Sequence, residues 1–180
     1  MKYTDYYISP VGEIFLAADD ACLTELYFAE QKAFASHSRN EDDGKRCAVL
    51  NDAKRWLDVY FSGRKPDFSV PIRLAGTDFQ NEVWSILLTI PYGQTTTYGK
   101  IAAKIAKERG IERMSPQAVG GAVGHNRISI IVPCHRVIGA DGSLTGYAGG
   151  LEKKRSFSHW KSANSCYKQK ARFAIKSIPQ

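Results

Sequence analysis

An abrupt change of pattern at Thr77 constrains this chain more than any other feature of its sequence. Thr77 and Gln80 form a capping box, and Phe79, Val83, Ile86, Leu87 and Ile90 follow on one helical face until Pro91-Tyr92-Gly93 stops the run. Before this point the apolar residues cluster in short extended runs; after it they fall at helical spacing. A second helix is predicted from about Thr97, with Tyr98, Ile101, Ala102 and Ile105 buried. A third starts at Pro116, N-capped by Ser115, and reaches about Gly124. An apolar strand over 128–132, a turn at Asp141-Gly142 and an extended piece over 144–147 complete this part. Three helices followed by a β-hairpin is the layout of a winged helix-turn-helix, whose third helix is the one offered to a duplex.

The charge divides at the same place. Residues 1–77 hold ten Lys and Arg against twelve Asp and Glu, a balance of −2, whereas residues 78–180 hold fifteen against six, a balance of +9. The whole basic excess therefore lies on the helical part, which points to a polyanionic partner for that part alone. With 43% hydrophobic residues in a chain of 180, a packed core is within reach, and disordered or collagen-like chains are excluded. No apolar run approaches the roughly 18 residues of a spanning helix, so no membrane role is expected.

The first part reads as β-rich. Tyr6 to Ile8, Ile14 to Leu16 and a run from Leu23 to Phe28 suit a small antiparallel sheet, residues 31–46 read as a polar loop, and Leu50, Ala53, Leu57 and Phe61 mark a covering helix. The expected fold class is α+β. The segments are an N-terminal domain over 1–76, a winged-helix domain over 77–162, and a basic tail over 163–180.

Cys22, Cys47, Cys134 and Cys166 form no CxxC pair and no Cys/His cluster, so neither metal nor cofactor is expected. The first ten residues lack an export signal, which points to a reducing compartment: the cytoplasm, on the nucleoid in a bacterium.

The third predicted helix is unusual. Gln117, Ala118, Gly120, Gly121, Ala122 and Gly124 offer almost no long side chains for reading base edges. Interior glycines cost about 1 kcal/mol each in a helix relative to alanine, so they require either tight packing on another helix or close approach to a DNA groove.

Chemistry concentrates in Ile131-Val132-Pro133-Cys134-His135-Arg136-Val137-Ile138. An unperturbed thiol near pKa 8.5 is only a few per cent thiolate at neutral pH, so a nucleophilic Cys134 needs a cation or base, and His135 and Arg136 are adjacent. On a regular strand neighbouring side chains point to opposite faces; His135 would then reach the thiol through a bend at Pro133 or through a water, the water relay being favoured.

These residues, followed by Thr145-Gly146-Tyr147-Ala148-Gly149-Gly150-Leu151, resemble the signature of the methylated-DNA–protein-cysteine methyltransferases, or O6-alkylguanine-DNA alkyltransferases. The resemblance extends through Phe79-Gln80, Val83-Trp84, Tyr98-Gly99, Ala118 to Val123 and Asn126. It covers the first part only by a general, ribonuclease H-like layout. It implies direct reversal of DNA alkylation: a flipped O6-alkylguanine, with O4-alkylthymine as a second candidate, yields its alkyl group irreversibly to Cys134.

By the same resemblance His135 is the water-relay base, Asn126 braces the segment beneath the pocket, and Tyr98 donates toward the leaving guanine. Gln80, Tyr98, Gly99, Gln117, Ala118 and Gly121 face DNA. Val123, Val137, Leu144, Tyr147 and Ala148 line the pocket, and the Ala148 N–H faces O6. The implied partner is double-stranded DNA carrying alkylated guanine, with the protein a monomer without an obligate protein partner.

Two positions depart from the family pattern. Gln117 stands where an arginine takes the space of the flipped base, and Lys161 where a glutamate holds the histidine. From Ser158 onward the expected leucine-rich helical pattern is lost, as an altered reading frame would produce, and residues 158–180 receive no functional assignment. The alternatives are a winged-helix regulator with a structural or redox-sensing Cys134, a cysteine hydrolase, and a lesion-binding relative with impaired transfer.

Overall fold

The structure, a computed structural model, describes residues 1–30 and 47–144. Strands β1 (Tyr3–Ser9), β2 (Gly12–Ala18) and β3 (Leu23–Phe28) form an antiparallel sheet in the order β1-β2-β3. Helix α1 (Ala48–Phe61) lays Leu50, Ala53, Leu57, Tyr60 and Phe61 into the core, so the sheet and its covering helix are as the sequence predicts, while the polar loop expected over 31–46 lies outside the described residues.

The outer edge of β3 is not left open. Leu23 donates to the Pro71 carbonyl at 2.8 Å and accepts from the Arg73 N–H at 2.9 Å. Farther along, Leu26 donates to Arg127 at 2.8 Å and accepts from Ser129 at 2.7 Å. Two distant segments thus satisfy an edge that would otherwise present unpaired backbone groups. The second of them leads directly to Cys134.

Helix α2 (Asp78–Leu88) starts with the predicted reciprocal box: the Thr77 hydroxyl accepts from the Gln80 N–H, and Gln80 Oε1 accepts from the Thr77 N–H at 2.9 Å. The two-residue strand β4 (Thr96–Thr97) leads into α3 (Tyr98–Arg109), capped by Thr97 at its start and by Gly110, φ +64°, at its end. Helix α4 (Pro116–Gly124) is capped by Ser115. Trp84 of α2 donates through Nε1 to the Ala122 carbonyl of α4 at 2.8 Å, which fixes α4 against the body.

The strand predicted over 128–132 is corrected by the structure. Only Ile128 pairs, through an isolated bridge to Leu26, and the chain then turns through Ile130 at φ +71°. Left-handed backbone at a β-branched residue is strained; here Ile130 is fully buried and the flanking hydrogen bonds over-determine the turn. Apolar composition alone cannot separate a buried strand from a buried turn. Strand β5 (Val137–Ile138) pairs in parallel with β4. Asp141-Gly142 forms the expected turn, with Asp141 Oδ1 accepting from the Ser143 N–H at 2.9 Å and Gly142 at φ +79°. Most of the predicted second arm, 145–147, lies outside the described residues. Among the described residues no helix is long and apolar enough to cross a membrane.

Candidate active site

Pro133 ends the 128–132 turn and starts another. The Cys134 N–H donates to Val132 at 2.8 Å and the Arg136 N–H to Pro133 at 3.0 Å, winding Cys134–Arg136 into one 3-10 turn. The two-faced strand geometry therefore does not apply at this step. Cys134 and His135 both lie buried on the turn, 3% and 2% exposed.

Asn126, just past α4, holds this turn from beneath. Its Nδ2 donates to Cys134 Sγ at 3.1 Å, to the Val132 carbonyl at 3.1 Å and to that of Ile128 at 3.3 Å. Its Oδ1 accepts from the Ile128 N–H at 3.0 Å. One buried amide thus ties the end of α4, the strained turn and the sulfur together. An N–H aimed at sulfur favours the thiolate over the thiol, because a hydrogen bond to an ionised acceptor is the stronger one.

His135 is held from the other side of the molecule. The Tyr60 hydroxyl, on α1, lies 3.2 Å from His135 Nε2, and the two rings meet edge to face. Burial pushes the Tyr60 phenol well above its ordinary value, so it stays neutral. Arg136 donates to the Ile90 carbonyl at 3.0 Å and stacks over Tyr92 at 5.4 Å. Desolvation lowers the guanidinium from its ordinary value. Tyr60 was not singled out in the sequence, where it reads as one more apolar position of α1. No local signal links it to a residue 75 positions later.

On the other flank, Gln117, Ala118 and Gly121 are exposed on α4, and Gly99 is exposed at the start of α3. Tyr98 is half-buried beside Gly120, where an added Cβ would lie 3.8 Å from its ring. A Cβ at Gly121 or Gly124 would meet nothing within 4 Å, so packing within the described molecule does not demand glycine at either position. Gln80 is half-buried and its side-chain oxygen is committed to the capping box. Val123 and Val137 are buried in the same apolar cluster as Cys134, and Leu144 is half-buried. Tyr147, Ala148 and Lys161 lie outside the described residues. Among the described residues no group of three His, Cys, Asp or Glu side chains could hold a metal ion.

Residues 1–74 match the family model of the 6-O-methylguanine DNA methyltransferase ribonuclease-like domain, and residues 78–161 match that of the DNA binding domain of the same proteins. A Mycobacterium tuberculosis protein named methylated-DNA–protein-cysteine methyltransferase is 46% identical over 148 residues, covering 82% of this chain and 85% of its own length. The chain belongs to the 6-O-methylguanine DNA methyltransferase family. A second methyltransferase of that name, from Methanosarcina barkeri, is 43% identical over 152 residues, covering 84% of this chain and 92% of that one. The crystal structure of Mycobacterium tuberculosis OGT in complex with DNA superposes with a TM-score of 0.71 at 44% identity, covering 89% of this chain and 92% of that one. The α+β fold and the family resemblance drawn from the sequence hold.

Proposed function

We propose that this methyltransferase reverses alkylation of DNA by moving the alkyl group from O6 of guanine to Sγ of Cys134. The observation that carries the assignment is the buried Asn126 amide donating to that sulfur at 3.1 Å. The thiolate attacks the saturated carbon in line, an S–C bond forms as the C–O6 bond breaks, and the electron pair leaves on guanine. His135 takes the thiol proton through a water and returns it to the leaving base. Soft sulfur suits displacement at an alkyl carbon, and donors at the ring heteroatoms ease departure of the base. The product is a thioether, stable to the groups present, so each molecule acts once.

The exposed small residues of α4 support close approach of backbone to a groove, with Gln117 filling the space of the flipped base and Tyr98 donating toward it. Val123, Val137, Leu144, Tyr147 and Ala148 shape the pocket, and Gly99 and Gln80 meet the DNA strand. Flipping costs a few kcal/mol, least for a lesion that pairs poorly, which contributes to selectivity. The protein works as a monomer on double-stranded DNA in the cytoplasm.

Incubation with a duplex containing O6-methylguanine tests the reading. Peptide mass analysis should find one methyl on the Cys134 peptide and none on Cys134→Ala. A folded protein whose Cys134 peptide stays unmodified after prolonged exposure overturns it.

A further inference from the structure

Tyr60 belongs to α1, in the half of the chain whose charge is acidic and which carries none of the DNA-facing residues, yet its hydroxyl reaches the imidazole beside Cys134. The placement is firm. Trp56 stacks on the Tyr60 ring at 5.3 Å, Phe61 meets it edge on at 5.5 Å and Tyr92 at 6.1 Å, so the phenol has little freedom to turn away. Among the described residues the titratable and charged groups that act on the phenol of this Tyr60–His135 pair are Arg136, which also donates a hydrogen bond to the phenol oxygen, Tyr92 from the loop before β4, and Cys134.

We propose that Tyr60 is a positioning residue for His135: its oxygen accepts from Nε2–H, fixes the ring, and so leaves Nδ1 as the nitrogen that takes the thiol proton. An imidazole has two nitrogens and only the unprotonated one is a base. With Nε2–H donated to Tyr60, Nδ1 keeps its lone pair. After proton transfer the imidazolium still donates to the same phenol, now as a charge-assisted bond, which stabilises the thiolate–imidazolium pair over the neutral pair. The half of the chain remote from DNA thereby contributes to the reactivity of the acceptor sulfur.

The inference rests on Cys134 being the acceptor, and its test reads the thiol without lesion DNA, so the two fail separately. Full-length wild type and Tyr60→Phe are alkylated with iodoacetamide across pH 5 to 10, and the Cys134 peptide is quantified by mass spectrometry. Removing the oxygen should slow alkylation at pH 7 about three- to tenfold, the effect of one hydrogen bond to a charged group partly offset by solvent. The plateau at high pH should be unchanged, because the thiolate itself is the same. Affinity for duplex DNA should also be unchanged. Superimposable pH profiles overturn the inference, as does a nitrogen-15 spectrum showing neutral His135 protonated at Nδ1. If Tyr60→Phe does not fold, the nitrogen-15 spectrum of the wild type decides: neutral His135 protonated at Nε2 supports the inference, and protonation at Nδ1 refutes it.

Discussion

Replacing Asn126 with alanine should separate two roles of one side chain, because the structure shows what each lost hydrogen bond leaves behind. The carbonyls of Val132 and Ile128 keep partners, accepting from the N–H of Cys134 at 2.8 Å and of Val132 at 3.0 Å. The Ile128 N–H instead loses its acceptor Oδ1 in a site where Ile128 is 2% exposed. An orphaned buried donor costs about 1–3 kcal/mol, and the lost bonds add up to about 1 more, so the variant should be about 2–4 kcal/mol less stable. That is a large share of the about 5–15 kcal/mol typical of a folded domain.

The second role concerns sulfur. Losing a donor to an ionised acceptor is worth about 1.5–3 kcal/mol, which raises the thiol pKa by about one to two units. Reactivity at neutral pH should fall about ten- to a hundredfold, with a preserved high-pH plateau. Urea denaturation measures the first effect, and the pH profile of Cys134 alkylation measures the second. A variant that stays folded with an unshifted thiol profile would refute the claim that Asn126 favours the thiolate.

Other perturbations address DNA docking and the buried phenol. Gly121→Ala meets no neighbour within 4 Å and replaces a poor helix former, so the melting temperature should rise, by up to about 1 kcal/mol of stability, while duplex affinity falls. Undiminished affinity in a fluorescence titration would remove the α4 face from the interface. Burial raises the Tyr60 phenol above its ordinary value of 10. Above that pH the unfolded chain loses a proton that the folded chain keeps, so this contribution is intact below about pH 10 and declines as pH rises toward the folded value. The slope is about 1.4 kcal/mol per pH unit. Urea midpoints between pH 9 and 11 should fall more gently for Tyr60→Phe than for wild type, and parallel slopes would contradict the assignment.

Local rules made much of this molecule legible. The Thr77 and Ser115 caps and the Asp141-Gly142 turn depend on neighbours in sequence, and all appear where their chemistry requires. Cys134 and His135 were legible as neighbours in sequence, whereas the place of Asn126 beneath them came only through the family resemblance. The strand expected over 128–132 was not, because its apolar residues are buried by both sheet and helices and carry no period. Its direction is set by the Leu26 pairing and by the Asn126 amide, neither visible in composition. Tyr60 was hidden for a similar reason: on α1 it occupies a position at which any large apolar residue fits the helical stripe. Only the docking of the two halves brings its oxygen to His135.

The pairing of Leu26 with residues 127 and 129 also bears on how the protein is made. The acceptor and donor that seal this stretch of sheet are synthesised about a hundred residues after it. At an elongation speed of roughly 5–20 residues per second, the newborn sheet waits some seconds with that stretch unsealed. During that interval it is a template for any extended chain nearby. Sealing it is the same event that sets the nucleophile's turn in place, so a ribosome-bound nascent chain is spared the hazard only when it also becomes reactive.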